Sequence, residues 1–279
     1  MTNADDHLLR KHAPIPTRAW KEIDDEARDR LTPLLAARTV VDWVGEGGWR
    51  RDSAGLGRTS AITALPAGIT HAEATAPGVE LRQRRVQPLV EVRVPFTVSR
   101  REIDDVQRGA LDADLDDVER AASAIAEIEN RAVFHGWEAA GITGITGAAA
   151  APATELGTDC AAYPATVARA VDNLRRRGIE GPYALAIGPE GYTRIVETTE
   201  HGGFPLLEHL TRILGGPVVW APGVDGAVVL SQRGGDFLLD VGQDLSVGYS
   251  HHDADVVHLY LEESFTFRVV GDDAAVVLG

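Results

Sequence analysis

The stretch from Val44 to Glu91 constrains the fold more than any other part of this chain. It opens as a glycine-rich run, GEGGWRRDSAGLG, and continues in weakly alternating β-branched segments that never build an apolar period. Two or three such strands bury too little surface to be stable alone. An extended β-arm of this kind gains order by lying on something else, most cheaply a neighbouring copy of the same chain. The stretch therefore predicts an oligomer.

The flanking segments are strongly patterned. Pro14 and Pro16 precede Thr17, a candidate N-cap, and Trp20, Ile23, Ala27 and Leu31 then recur at helical spacing until Pro33. Lys21, Glu22, Asp25, Glu26 and Arg28 form the opposite, solvated face. Beyond the arm, Val90 to Val98 alternates as a strand, and Ser99 with Glu102 has the capping-box spacing that starts a short helix ending at Gly109. A longer helix follows, capped by Asp114, with Val118, Ala121, Ile125, Ile128 and Ala132 on one face until Gly136. This helix reads as a spine.

After GITGITGAAAAPA the pattern becomes α/β. Helices are expected at Pro164–Arg177, from Pro189, and at Pro205–Leu214, with strands at Tyr183–Ile187, Val218–Trp220 and Ala227–Ser231. From Asp236 onward long strands return, with Leu245–Tyr249 and Val256–Val270 alternating well enough to pack on the spine helix. The class is α+β, with one layer assembled from two distant parts of the chain.

Charge and motif content exclude several function classes. With 42 Asp and Glu against 27 Lys and Arg the net charge is −15, which disfavours nucleic acid as a partner. No apolar run approaches the roughly 18 residues of a membrane span, and MTNADDHLLR lacks the regions of a secretory signal, so a cytoplasmic protein without membrane contact is expected. The single cysteine, Cys160, allows neither an internal disulfide nor a CxxC pair. P-loop, nucleophile-elbow, zincin and dinucleotide-binding motifs are missing. The Gly141, Gly144 and Gly147 repeat follows a helix and reads as a loop.

Two clusters have the composition of metal sites. His251, His252, Asp253, Asp255 and His258 fall where a hairpin should turn, and neighbouring strand side chains point to opposite faces, so a polar turn is the better reading. The run Asp104, Asp105, Asp112, Asp114, Asp116 and Asp117 lacks the glycine and terminal glutamate of a calcium loop and reads as helix-start capping on a solvated face. No catalytic residue and no metal ligand is assigned.

The order of these elements resembles the major capsid protein fold of tailed bacteriophages. HAPIPTRAWKEIDDEAR, VRVPFTVSRREIDDVQRG, IEGPYALAI, HGGFPLLEHL and RGGDFLLDVGQDLSVGYSHHDADVVHLYLEESFTFRVV, in that order, resemble the encapsulins, specifically family 1, the linocin/bacteriocin-like shell proteins. The likeness spans nearly the whole chain and is weakest from Trp49 to Leu81. It implies a non-enzymatic protein that self-assembles into a hollow icosahedral nanocompartment of about 60 copies or a multiple. It also implies a division into an N-terminal helix (1–44) belonging to the peripheral domain, an extended arm (45–95), the remaining peripheral domain (96–150 and 235–279) and an axial domain (151–234).

Encapsulins capture a cargo enzyme through its C-terminal targeting peptide, which docks on the inner wall. In this sequence Trp20, Ile23, Arg38 and Asp42 match or border that groove, although Trp20 and Ile23 have an equal reading as core residues pinning the helix. The five-fold pore matches the loop Glu200, His201, Gly202 and Gly203, whose acidic and imidazole groups would favour cations; a flexible, unselective loop is the alternative. Some relatives bind flavin on a tryptophan at the position of Arg101, with Arg93 retained nearby; loss of the ring removes the main apolar contact for a flavin, and no cofactor is expected. The expected cargo is a dye-decolourising peroxidase or a ferritin-like iron protein. A prophage capsid protein that packages DNA and a metal-dependent hydrolase built on the histidine cluster are the alternatives.

Overall fold

The computed structural model describes residues 6–62, 81–157, 159–200 and 203–279. The N-terminal helix α1 (Thr17–Leu34) buries Ala19, Ile23, Ala27 and Leu31, the stripe its spacing predicts. Pro16 is extended, so it occupies the cap position and Thr17, the expected cap, becomes the first helical residue. A short helix α2 (Ala36–Val40) leads into strand β1 (Asp42–Glu46), followed by the arm strands β2 (Ser53–Ala61) and β3 (Arg82–Pro88) and by β4 (Val90–Ser99).

Helix α3 (Arg100–Arg108) starts where Ser99 accepts a hydrogen bond from the Arg101 amide and stops at Gly109, whose φ of 113° a side chain would resist. The capping box forms only in half, because the Glu102 carboxylate accepts instead from the Asp114 amide at 3.1 Å. The spine helix α4 (Asp116–Phe134) is capped at Leu115; Asp114, one residue further out, still serves its first turn by accepting from the Asp116 amide at 3.2 Å. The chain continues through α5 (Ile145–Ala148), α6 (Tyr163–Arg176), β5 (Tyr183–Ile187), α7 (Pro189–Glu197), α8 (Leu206–Leu214), β6 (Val218–Trp220) and β7 (Ala227–Ser231), and ends in β8 (Phe237–Val241), β9 (Ser246–His252), β10 (Val256–Val269) and β11 (Ala275–Leu278).

Long-range pairing organises these strands into two layers. The main sheet runs β1-β8-β10-β4, with β9 also on β10. Strand β10 pairs along β4 from Val256↔Ser99 to Phe265↔Val90, while its other edge meets β9 first and β8 later. Val92, Phe96 and Val98 of β4 are buried, and α4 packs on this face with α1 against it. The second sheet runs β11-β7-β5-β6, its central strands β5 and β7 buried at every position, beneath α6 and α8. Large side chains such as Phe134, Tyr163, Tyr183, Phe265 and Phe267 are fully enclosed in a continuous core.

Strand partners draw the layers differently from the sequence ranges in three places. Gly45 and Glu46, in the expected arm, belong to β1, which pairs in parallel with β8. Val90–Pro95, also in the expected arm, lies in the main sheet because its alternating apolar face covers α4. Ala275–Leu278, expected in the peripheral layer, pairs with β7 in the second sheet. What stands apart is the ribbon β2–β3, paired only within itself from Ser53↔Pro88 to Ala61↔Arg82 among the described residues.

Candidate functional site

The groove residues expected on the inner wall do not converge. Trp20 is half-buried at the margin of the α1 stripe, with the Arg10 guanidinium 4.0 Å above its ring and bound by both nitrogens to Asp24 at 3.0 and 2.7 Å. These three side chains, with Ala13 and Ile15, line an open cleft of about 520 Å³. Ile23 is 2% exposed and sits in the core, since a 3.6-residue period aligns it with Ala19 and Ala27. Asp42 accepts from the Gly235 amide at 2.6 Å and lines a separate recess of about 100 Å³ with Thr39 and Gln232.

Arg38 is committed to a mostly buried ionic cluster. Its guanidinium reaches Glu129 on α4 at 2.7 Å, Glu263 on β10 at 3.0 Å and Asp244 in the β8–β9 connection at 2.7 Å. Glu129 and Glu263 are wholly enclosed, whereas Asp244 reaches solvent. Burial alone works against the Arg38 charge, but Glu129, Glu263 and Asp244 outweigh it and hold the guanidinium charged. Burial first, and then Glu129, push the Glu263 carboxyl well above the ordinary carboxylate range, against the pull of Arg38. One cation between two enclosed carboxylates leaves room for one proton on the pair, and Glu263 Oε1 is buried with no hydrogen-bond partner among the described residues. Next to this cluster, Asn130 accepts from the Ala37 amide at 2.9 Å and donates to the Leu34 and Pro222 carbonyls, tying the α1–α2 joint to the spine and to the loop before β7. Sequence reasoning missed Glu129, Asn130 and Glu263. The available signal was a polar pair, Glu129–Asn130, interrupting the apolar stripe of the spine helix.

A further buried carboxylate, Glu262, faces Arg93 at 2.6 Å and His7 at 3.3 Å. His7 stacks on Trp49 at 4.8 Å, and the Leu8 carbonyl accepts from the Tyr249 amide, so the N-terminal segment is strapped across the sheet to the root of the arm. Arg93 also lies 4.9 Å over the Tyr260 ring, beside a cavity of about 700 Å³. Arg101 points into solvent, its side chain 86% exposed, and does not line that cavity.

The histidine cluster is a hairpin. His251 and His258 oppose each other on β9 and β10 with parallel rings 4.0 Å apart, while the Tyr249 hydroxyl lies 2.6 Å from His252 Nδ1. Asp253 accepts from the Asp255 and Val256 amides, first among the causes that hold its carboxyl down at about 2, and so closes the turn. Among the described residues no three His, Cys, Asp or Glu side chains are grouped to hold a metal ion.

Of the expected pore loop, His201 and Gly202 lie outside the described residues. Glu200 receives His209 Nδ1 at 2.9 Å, and the Gly203 amide, at φ 78°, donates to the Glu200 carbonyl. The acidic run divides by role: Asp117 accepts from the Thr97 hydroxyl at 2.6 Å, Asp105 pairs with Arg108, and Asp116 and Asp117 sit in the first turn of α4, where carboxylates suit the helix dipole. No helix among the described residues is long and apolar enough to cross a membrane.

Comparison with known proteins gives this architecture its context. The family model described as encapsulating protein for peroxidase matches residues 5–266. The type 1 encapsulin shell protein of Rhodospirillum rubrum is 54% identical over 271 residues, spanning 97% of this chain and 95% of its own. That of Rhodococcus erythropolis is 44% identical over 278 residues and is covered in full, as is this chain. Among solved structures, the virus-like particle from Pyrococcus furiosus superposes with a TM-score of 0.64 at 18% identity, over 93% of this chain and 99% of that one. The capsid of Myoviridae phage XM1 does so with a TM-score of 0.52 at 12% identity, over 87% and 90%. The α+β architecture is therefore the tailed-phage capsid fold, and the chain belongs to the type 1 encapsulin shell proteins, a family of structural shell components and not of enzymes.

Proposed function

We propose that this chain closes into an icosahedral shell of about 60 copies or a multiple and that the enclosed volume holds a cargo enzyme brought in by its own C-terminal peptide. The observation that carries the reading is the β2–β3 ribbon: nearly every residue from Gly57 to Ile62 and from Leu81 to Val86 is exposed, in a chain whose relatives are shell proteins. A ribbon with so little burial is stabilised by docking between copies, which links folding to assembly. The family description names a peroxidase, which favours a dye-decolourising peroxidase over a ferritin-like protein as cargo. For the peptide groove we favour the cleft beside Trp20, whose walls combine an indole and the apolar side chains of Ala13 and Ile15 with the Arg10–Asp24 pair. The Glu200–Gly203 loop is proposed as a cation-favouring pore rim, and no flavin, nucleic acid or membrane is assigned to the shell, which is expected in the cytoplasm.

Gel filtration followed by negative-stain imaging tests the shell: hollow particles of megadalton size are expected, and a lone compact monomer would refute it. Strong nucleic-acid absorbance in those particles would favour the viral alternative. Co-expression with a peroxidase bearing or lacking its C-terminal peptide tests recruitment. Trp20→Glu should empty otherwise intact shells of cargo, whereas insoluble protein would assign Trp20 to the core.

A further inference from the structure

We propose that the β2–β3 ribbon is a cationic clamp whose partner is the acidic surface around Leu111 on a second copy of this chain. The inference rests on the shell reading above and adds the chemistry of the contact. Between Ser53 and Ile62 and between Leu81 and Pro88 the charged side chains are Arg58, Arg82, Arg84 and Arg85, with no Asp or Glu, in a chain of net charge −15. All four arginines are exposed. Among the described residues no carboxylate lies within ion-pairing distance of Arg58, Arg84 or Arg85. Strand alternation puts Arg82, Arg84 and Val86 on one face, and Val86 is 55% exposed there.

The complementary surface has the opposite charge and the same kind of apolar centre. From Glu102 to Glu119 the chain carries eight carboxylates and one arginine. Asp105, Asp117 and Glu119 are paired with Arg108, Arg120 and Arg30, but Asp104, Asp112, Asp114 and Asp116 have no ion-pair partner among the described residues. In their midst Leu111 is 89% exposed. Among the described residues no hydrogen bond or ion pair joins Arg58, Arg84 or Arg85 to this surface in the same chain. The root of the ribbon is fixed elsewhere, where Gln87 donates to the Gly141 and Phe267 carbonyls. Face-to-face docking of two ribbons would oppose arginine to arginine, so the acidic loop of another copy is the better match. Nucleic acid would meet these four arginines only against the repulsion of the remaining chain.

The contact should be sensitive to salt, because screening shortens from about 10 Å at 0.1 M to about 3 Å at 1 M. The measurement is the fraction of folded protein that elutes as particles at each ionic strength, with circular dichroism confirming the fold of each variant. Arg84→Glu with Arg85→Glu should lower that fraction about tenfold, and Asp112→Arg with Asp114→Arg should do the same. All four substitutions in one chain should restore assembly. Charge-reversed chains that assemble like the parent, or a four-substitution chain that folds without recovering, would overturn the pairing. So would arm variants that keep their particles and lose only bound nucleic acid. A parent chain that forms no particles at all is a distinct result: it removes the shell reading itself.

Discussion

The Arg38 cluster and the β2–β3 ribbon handle charge in opposite ways. In the cluster a guanidinium, two enclosed carboxylates and Asp244 are drawn from α2, α4, β10 and the β8–β9 connection, and the guanidinium is fully engaged within one chain. On the ribbon, three arginines have no carboxylate partner among the described residues and both strands are open to solvent. The first region is finished when a single chain folds. The second, on the docking proposed above, is finished only when another surface arrives. Stability and assembly are thus encoded in separate places and should respond to separate substitutions.

Removing the arm between Trp49 and Leu81 is the largest test of that separation. Closed particles should vanish while circular dichroism still reports both sheets, since β1, β4 and β8 pair without it; intact particles from this deletion would join the two regions again. The reciprocal change, Arg38→Ala, leaves two enclosed carboxylates facing each other. It should cost roughly 3–5 kcal/mol in urea denaturation, and a loss confined to assembly would reverse the assignment.

A smaller effect sharpens the comparison through pH. The folded chain holds the Glu263 proton more tightly than the unfolded chain, so the contribution of this group is fully present below the ordinary carboxyl value of 4.5 and is lost as pH rises through the raised one. Glu263→Gln should flatten that slope, read as urea midpoint against pH; an unchanged slope would place the titration elsewhere. The smallest change is expected from Asp253→Asn at the β9–β10 turn. That exposed carboxyl is held low by two backbone amides, so its contribution is present above its ordinary value of 3.8 and fades as pH falls through about 2. Shell formation should not notice it, with or without a chelator in the buffer.

Local patterning made most helices readable. Ala19, Ile23, Ala27 and Leu31 announced the buried face of α1, and the Val118-to-Ala132 stripe announced the spine. The same periodicity decides against Ile23 as a groove residue, because a position on the core stripe cannot also face a ligand. Strand partnership was less legible. Nothing within Asp42–Glu46 or Ala275–Leu278 says which sheet will take it, since short apolar strands look alike and their partners lie far away in sequence. Arg38 was the hardest case. An arginine bordering a groove and one neutralising buried glutamates have the same signature until the fold brings Glu129 and Glu263 beside it.

The interleaving of the main sheet also sets a timetable. Strands β1 and β4 leave the ribosome early, but their partners β8 and β10 are synthesised only at residues 237–269. A nascent chain must therefore carry an open sheet edge and a bare arm through most of its synthesis, and the main sheet is complete only once β10 has been made. A late-made strand thereby holds the layer together: a chain that stops before β10 leaves β4, β8 and β9 without their shared partner.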